Sequence, residues 1–173
     1  MLTDDQRKAN RLALAYKDME DVIRFLDAYD ELSSLQAKHG TGQYSDHCEG
    51  LLMAAIVSYC RPFMTNRGRE HADTQLVAST LDSVTANKSV HELIKYKRDK
   101  FVAHADWEER KTEIIKIEGD SVYRRFPMPS VTDRLDITEF RTLANAVMAE
   151  CRFNTYDLDR GTDKHAEGAD NKR

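Results

Sequence analysis

The apolar positions in the first part of the chain recur at steps of three and four residues, which is the spacing of one face of an α-helix. Thr3 and Gln6 have the spacing of a capping box, and Gly40 and Gly42 interrupt the pattern. We therefore predict one long amphipathic helix over about residues 4–38. Its apolar face consists of Leu12, Tyr16, Met19, Ile23 and Leu26.

Two further helices are predicted before residue 90. The first has Ser45 or Asp46 as its cap, is strongly apolar, and ends or kinks near Pro62. The second is shorter, is capped by Asp73, and is interrupted at residues 86–88. Its apolar positions are Leu76, Val77, Leu81 and Val84.

A capping box formed by Ser89 and Glu92 predicts the start of a fourth helix, which carries Arg98 and His104. Its buried side is expected to consist of Val90, Leu93, Ile94, Phe101 and Val102.

The helical period stops after this helix. Residues 112–117 and 121–126 are rich in β-branched and aromatic side chains, and residues 118–120 form a turn signal between them. This pattern predicts a small β-hairpin. Asp136 and Glu139 then open the last helix, whose apolar face is Ile137, Phe140, Leu143, Ala144, Val147, Met148 and Cys151.

These elements predict an all-α fold, an up-and-down bundle of four or five helices with a small β-hairpin-like insertion before the last helix. A chain of 173 residues is long enough for one domain with a core of its own. We expect a single domain over residues 1–158. Residues 159–173 are charged and offer little to bury, so they are expected to be a disordered tail.

Charge and cysteine content restrict the class of protein. The net charge is −4, which argues against a general nucleic-acid-binding surface, but residues 95–125 carry a net +2. Such a zone suits a phosphate ligand, and it is equally well explained as a solvated helix face. Three widely spaced cysteines fit reduced thiols. No signal-peptide pattern or long apolar run is present, so a soluble, cytoplasmic protein without a membrane partner is predicted.

The candidate chemistry lies in residues 98–106, where Arg98 and His104 stand six positions apart. A guanidinium holds phosphate oxygens through a planar set of donors, and an imidazole transfers a proton near neutral pH. Positions six apart are separated by roughly 120° around an α-helix. Either the helix therefore bends or ends near Ala103, or the two groups meet in a site shared between two subunits.

The stretch resembles the HEPN superfamily, helical-bundle proteins of prokaryotic toxin–antitoxin and phage-defence systems. The matching positions are Arg98, Asp99 and His104. The pattern is an arginine, a small polar residue directly after it, and a histidine separated from the arginine by five residues. The local string is especially similar to the abortive-infection branch of that superfamily. The motif covers nine residues, and the similarity in helix order extends over about residues 4–158.

The resemblance implies a homodimeric, metal-independent endoribonuclease without a cofactor, and an antitoxin as a possible partner. His104 would transfer protons at the ribose 2′-hydroxyl or the leaving 5′-oxygen, Arg98 would stabilise the phosphorane, and Asp99 would orient one of them. Such chemistry is confined to RNA, because it uses the 2′-hydroxyl. The candidate substrate-binding residues are Lys95, Lys100 and Trp107, where Trp107 either packs beneath the motif or stacks on a base.

Three alternatives remain open at the level of sequence. Arg98 and His104 could form a structural cluster, with Arg98 paired to Asp99 or Asp106 and His104 at a helix C-terminus. The bundle could instead be a non-catalytic HEPN-type dimerisation or binding module for an antitoxin or a nucleotidyltransferase. Finally, the motif could be a coincidence. A zinc-protease helix beginning at His91 is excluded, since Lys95 stands where the second histidine is required.

Overall fold

The described part of the chain is predominantly helical, in agreement with the predicted all-α class. In the computed structural model it comprises residues 3–40, 42–64, 76–103, 113–117, 121–125, 131 and 134–167. The α-helices are α1 (Asp4–His39), α2 (Ser45–Cys60), α3 (Asp82–Ala86), α4 (Lys88–Lys97) and α5 (Ile137–Glu167). None of the described helices combines the length and the apolar content needed to cross a bilayer.

Helix α1 begins and ends as its local sequence predicts. The Gln6 N–H donates to Thr3 Oγ1 at 3.2 Å, and the Thr3 N–H donates to Gln6 Oε1 at 2.9 Å, which completes the capping box. Gly40 follows the last turn with φ 62°, and its N–H donates to the Gln36 carbonyl. A residue without Cβ adopts this left-handed conformation without strain, so the stop at Gly40 is fixed locally.

The core is organised along α1, which packs against both α2 and α5. Burying each large apolar side chain stabilises the fold by about 1.5–3 kcal/mol. The residues that α1 buries are Leu12, Ala15, Met19, Val22 and Leu26. The buried apolar residues of α2 are Leu52, Ala55, Ile56, Tyr59 and Cys60, and those of α5 include Phe140, Leu143, Ala144, Val147 and Cys151.

Ion pairs at the surface join α1 to its two neighbours. Arg61, directly after α2, places Nη1 3.3 Å from Asp18 Oδ1. Arg141, in the second turn of α5, bonds Asp27 through Nη1 and Asp30 through Nη2, the latter at 2.7 Å. Because these carboxylates are one turn apart on α1, one guanidinium reaches both and links the two helices at the surface.

The helix predicted to carry Leu76, Val77 and Leu81 is wrong over those residues. Leu76 and Val77 precede a short 3₁₀ turn at Ala78–Thr80, and Leu81 has extended angles (φ −107°, ψ 120°). The Leu76 N–H donates instead to the carbonyl of Pro62, at 2.8 Å. The predicted cap, Asp73, lies outside the described residues.

A distant carboxylate decides where this helix begins. Glu150 of α5 accepts hydrogen bonds from the N–H groups of Asp82 and Ser83, at 2.8 and 2.9 Å, and from the Ser83 hydroxyl at 2.6 Å. These N–H groups belong to the first turn of α3, which lacks partners within the helix. The chain therefore becomes α-helical at Asp82, capped from another element.

Two other predicted caps are also wrong. Helix α2 begins at Ser45 after a 3₁₀ turn (Gly42–Tyr44) and has no side-chain cap. Helix α4 begins at Lys88, so Ser89 lies inside it and forms no capping box. The predicted break after Ala86 is confirmed, because Asn87 forms the turn between α3 and α4 and donates its amide Nδ2 to the Ser83 carbonyl.

The described residues between α4 and α5 include two strands, β1 (Glu113–Ile117) and β2 (Ser121–Arg125). They pair antiparallel, with Ile115 opposite Tyr123. The predicted turn at residues 118–120 lies outside the described residues.

The start of α5 is confirmed. Asp136 Oδ1 accepts from the N–H groups of Thr138 at 2.7 Å and Glu139 at 3.1 Å. Its end differs from the expected tail, since α5 continues through Glu167. Residues 159–167 contain no proline, so no residue there removes a helical N–H donor. Residues 168–173 lie outside the described residues.

We predict that Glu150→Ala lowers the free energy of unfolding by about 2 kcal/mol, because three donors lose a charged acceptor. Burial tends to raise the pKa of Glu150, but the hydrogen bonds from Ser83 and Asp82 outweigh it and hold the pKa below its usual value. The stabilisation is therefore complete above the unfolded-state pKa near 4.5 and is lost as the pH falls through the folded value. Urea unfolding at pH 7 and below pH 4 measures both effects.

Glu31→Ala is the matched control, since Glu31 is exposed on α1. An equal loss of stability in both variants at pH 7 would contradict the proposed cap.

Candidate functional site

The candidate site lies where the winding of α4 changes. Lys97 is the last residue of α4, and Arg98–Ala103 continue as a π-helical segment. Single π-helical turns are rare and occur frequently at functional sites. Their hydrogen bonds run from i to i+5, so the angular spacing of a regular α-helix does not apply within Arg98–Ala103. The sequence predicts a bend or an end near Ala103. The described helix instead changes its winding at Arg98 and continues as a π-helix to Ala103.

Arg98 stands at the end of the buried face of α4. It follows Ile94 by four positions and His91 by seven, and its backbone is still helical (φ −58°, ψ −48°). Residues at these spacings lie on one side of a helix. Because His91 and Ile94 are 1% and 0% exposed, the face that carries Arg98 continues the core. This placement explains why the Arg98 side chain is only 26% exposed.

Arg98 and Asp99 form an ion pair. Arg98 Nη1 donates to Asp99 Oδ1 at 2.8 Å, and the Asp99 side chain is 56% exposed. An exposed pair adds little to stability, but it restricts the directions that a guanidinium can take. The remaining N–H groups of the Arg98 guanidinium have the planar geometry that phosphate oxygens require.

The charges of this segment lie close to the end of α2. Burial raises the pKa of the Cys60 thiol to about 12, and Arg98, Asp99 and Lys95 are near enough to modify it. Arg98 and Lys95 oppose the increase, whereas Asp99 adds to it. Since Cys60 is the last residue of α2, these cations lie near a helix C-terminus, whose free carbonyls favour positive charge.

The lysines of the motif have different environments. Lys95 is partly exposed, and its Nζ lies 3.5 Å from the Glu92 carboxylate, so Glu92 acts as its ion-pair partner and not as a capping residue. Lys100 is partly buried in the π-helical segment. Lys97, which was not predicted as a site residue, is 3% exposed. Lys95, Arg98 and Asp99 all act on the Cys60 thiol, so these three charged groups lie near the same end of α2.

His104 and Trp107 lie outside the described residues. The structure brings together Arg98, Asp99 and Lys95, and the pairing of Arg98 with His104 stays a prediction.

A buried polar pair that was not predicted from the sequence lies between α2 and α4. The Tyr59 hydroxyl and His91 Nδ1 share a hydrogen bond of 2.8 Å. The imidazole also meets the rings of Tyr59 and Phe63 edge-on, with centroids 5.7 and 5.0 Å away. Its Nε2 is buried and has no hydrogen-bond partner among the described residues. The one available signal was that His91 precedes Ile94 by three positions, which places it on the apolar face.

The environment favours the uncharged forms of both groups. Burial lowers the pKa of His91, the charge of Lys95 lowers it further, and Glu92 opposes this in part. Burial is also the main cause that raises the pKa of Tyr59, with Cys60 and Glu92 adding to it. A neutral imidazole bonded to a neutral phenol is therefore the stable state near pH 7, and the pair holds α4 against α2.

Metal ligation finds no support in the described part of the chain, where no group of three histidine, cysteine, aspartate or glutamate side chains is placed to hold an ion. Cys60 and Cys151 are buried, and Cys48 is partly exposed.

Comparison with protein-family models, with curated proteins and with solved structures finds no match. Any function must therefore be argued from the residues around Arg98.

We predict that lowering the pH destabilises the protein through His91. The folded-state pKa lies below the unfolded value of 6.5, so the stabilisation is complete above about pH 6.5 and decreases as the pH falls toward the folded value. In His91→Gln this part of the pH dependence should disappear. Urea unfolding between pH 7.5 and 5 measures it.

His47→Gln, a change at an exposed histidine of α2, is the control and should keep the wild-type pH profile. Identical pH profiles for wild type and His91→Gln would refute the assignment.

Proposed function

We propose that this chain is a HEPN-like, metal-independent endoribonuclease that acts as a homodimer in a toxin–antitoxin or phage-defence setting. In this proposal Arg98 stabilises the charge on the phosphorane oxygens, and His104 moves the proton of the 2′-hydroxyl or of the leaving 5′-oxygen. Asp99 positions Arg98, while Lys95, Lys100 and Trp107 bind the RNA.

The observation that carries the proposal is the placement of Arg98. Its backbone belongs to a helix with a buried face, its side chain is partly buried, and Asp99 restrains it at 2.8 Å. A hydrogen-bond donor that is already oriented needs little reorganisation when negative charge develops on the substrate. Partial burial also strengthens its electrostatic interaction with that charge, because less water screens it. A freely solvated surface arginine offers neither advantage.

The surroundings suit a phosphodiester. Lys95 places a second cation near the same end of α2, while Glu92 and Asp99 partly offset the charges of Lys95 and Arg98. Cleavage through the 2′-hydroxyl leaves a 2′,3′-cyclic phosphate and requires a proton carrier and a fixed cation. His104 and Arg98 are the residue types that meet these two needs without a metal.

A homodimer is part of the proposal because two protomers would double the cationic groups around one phosphate. An exposed apolar surface is available for such association. A groove of about 920 Å³ lies between α1 and α5 and is lined by Tyr16, Met148, Phe153 and Tyr156 among others. Phe153 and Tyr156 are 64% and 58% exposed. Exposed apolar patches of this kind mark interaction surfaces.

The same groove favours the second candidate, a non-catalytic module that binds an antitoxin or a nucleotidyltransferase. In that case the Arg98–Asp99 pair is a surface ion pair without a substrate. The two candidates make different predictions. The endoribonuclease needs Arg98 for RNA cleavage, whereas the binding module needs only the groove for contact with its partner.

We predict that Arg98→Ala lowers the rate of RNA cleavage by about 10²–10³-fold, the usual loss when one transition-state donor is removed. His104→Ala should lower it by about 10²–10⁴-fold through loss of proton transfer. Single-turnover cleavage of labelled RNA by purified protein measures both. Helix content and dimer mass should be unchanged.

Arg24→Ala and His39→Ala provide matched controls, since both residues are exposed on α1 away from the π-helical segment. Wild-type protein that cleaves no RNA in a broad panel would reject the proposal, and so would variants of Arg98 and His104 that cleave at the wild-type rate.

We further predict that Phe153→Glu weakens self-association or partner binding at least tenfold, because it places a charge in the groove. Analytical ultracentrifugation measures self-association, and titration with the product of a neighbouring gene measures partner binding. Retained partner binding by Arg98→Ala, with no cleavage by the wild type, would favour the non-catalytic module. Unchanged association in Phe153→Glu would exclude the groove as the interface.

A further inference from the structure

A second concave site lies on the bundle, near the start of α1. A pocket of about 560 Å³ is enclosed by the second and third turns of α1, the segment before α3, and the later part of α5. Its volume is within the range of small-molecule sites. Its apolar wall is formed by Leu12, Leu76, Leu81 and Leu158.

Two cations on α1 provide the charge in this pocket. Lys8 and Arg11 are three positions apart, so their side chains are neighbours on the helix surface. Asn154 of α5 contributes an amide, and no carboxylate is among the described side chains that line the pocket. The lining therefore combines positive charge with an apolar surface.

Arg11 supplies the observation that points to a ligand. Its Nε is buried and has no hydrogen-bond partner among the described residues. A buried donor without an acceptor destabilises the folded chain, since it has lost water and gained nothing in return. Arg11 also lines the pocket, so an anionic oxygen there would pair with the charge of the same guanidinium, whose flat set of donors suits two oxygens.

We propose that this pocket binds a small amphipathic anion, a carboxylate or phosphate head joined to an apolar body. The head pairs with Arg11 and Lys8, and the body lies against the leucine wall. Both parts are required, because the cations alone would attract any anion and the wall alone would not discriminate charge. The site is separate from the Arg98 segment and does not depend on RNA cleavage.

The test uses the full chain and four probes: octanoate, hexyl phosphate, inorganic phosphate and hexyltrimethylammonium. Isothermal titration calorimetry gives affinities, and the shift in melting temperature gives an independent readout. Octanoate or hexyl phosphate should bind and raise the melting temperature. Inorganic phosphate should bind at least tenfold more weakly, and the cationic probe should not bind.

Arg11→Gln should weaken binding of the amphipathic anion by roughly tenfold or more, since a charge-assisted hydrogen bond is lost. Arg24→Gln is the matched control, because it makes the same change on the same helix outside this pocket. Val77 lines the pocket and is 58% exposed, so substitutions there should leave the fold intact. Val77→Asp should repel the anion. Val77→Asn is its control, because asparagine has nearly the shape of aspartate without the charge, and it should not repel the anion.

Four results would overturn the proposal. They are no binding of either amphipathic anion, equal binding of inorganic phosphate, equal binding of the cationic probe, and equal weakening by Arg24→Gln or Val77→Asn. Loss of RNA cleavage in other variants has no bearing on any of them.

Discussion

The burial of one face of α1 against α2 and α5 is the constraint on which the rest of this structure depends. The face is continuous from Leu12 to Leu26, and it determines which sides of the neighbouring helices turn inward. Helix α4 then packs on α2, and the contact is closed by the hydrogen bond between Tyr59 and His91. Arg98 owes its position to this order of packing, because it lies at the end of the same face of α4.

Much of the fold could be predicted from the sequence wherever the cause is local. The capping box at Thr3, the stop at Gly40 and the cap at Asp136 each involve residues within a few positions of one another. The apolar faces of α1 and α5 follow from the helical period, which needs no knowledge of partners. Such signals are carried by short-range hydrogen bonds and by side-chain spacing.

The failures have causes that no local pattern contains. The apolar residues at 76–81 have helical spacing, yet α3 begins only at Asp82, because Glu150 caps it from 68 positions away. Tyr59 and His91 are 32 positions apart, so no local pattern indicates their hydrogen bond. Tyrosine and histidine are also found both buried and exposed, so residue type alone does not predict their burial. The change to π-helical winding at Arg98 likewise has no sequence signature. The sequence singles out Arg98 as a candidate site residue, but it does not predict the partial burial of its side chain or the π-helical segment that begins there.

The proposed chemistry is cleavage of RNA through its own 2′-hydroxyl, with Arg98 and His104 as the catalytic side chains. Analysis of the cleavage products in the presence of EDTA tests it most directly. Purified protein is expected to cut an RNA oligonucleotide with EDTA present, to leave a 2′,3′-cyclic phosphate, and to spare a substrate with a deoxyribose at the cut position. Cleavage that needs a divalent metal and leaves a 3′-hydroxyl, or that also cuts the deoxyribose substrate, would contradict it.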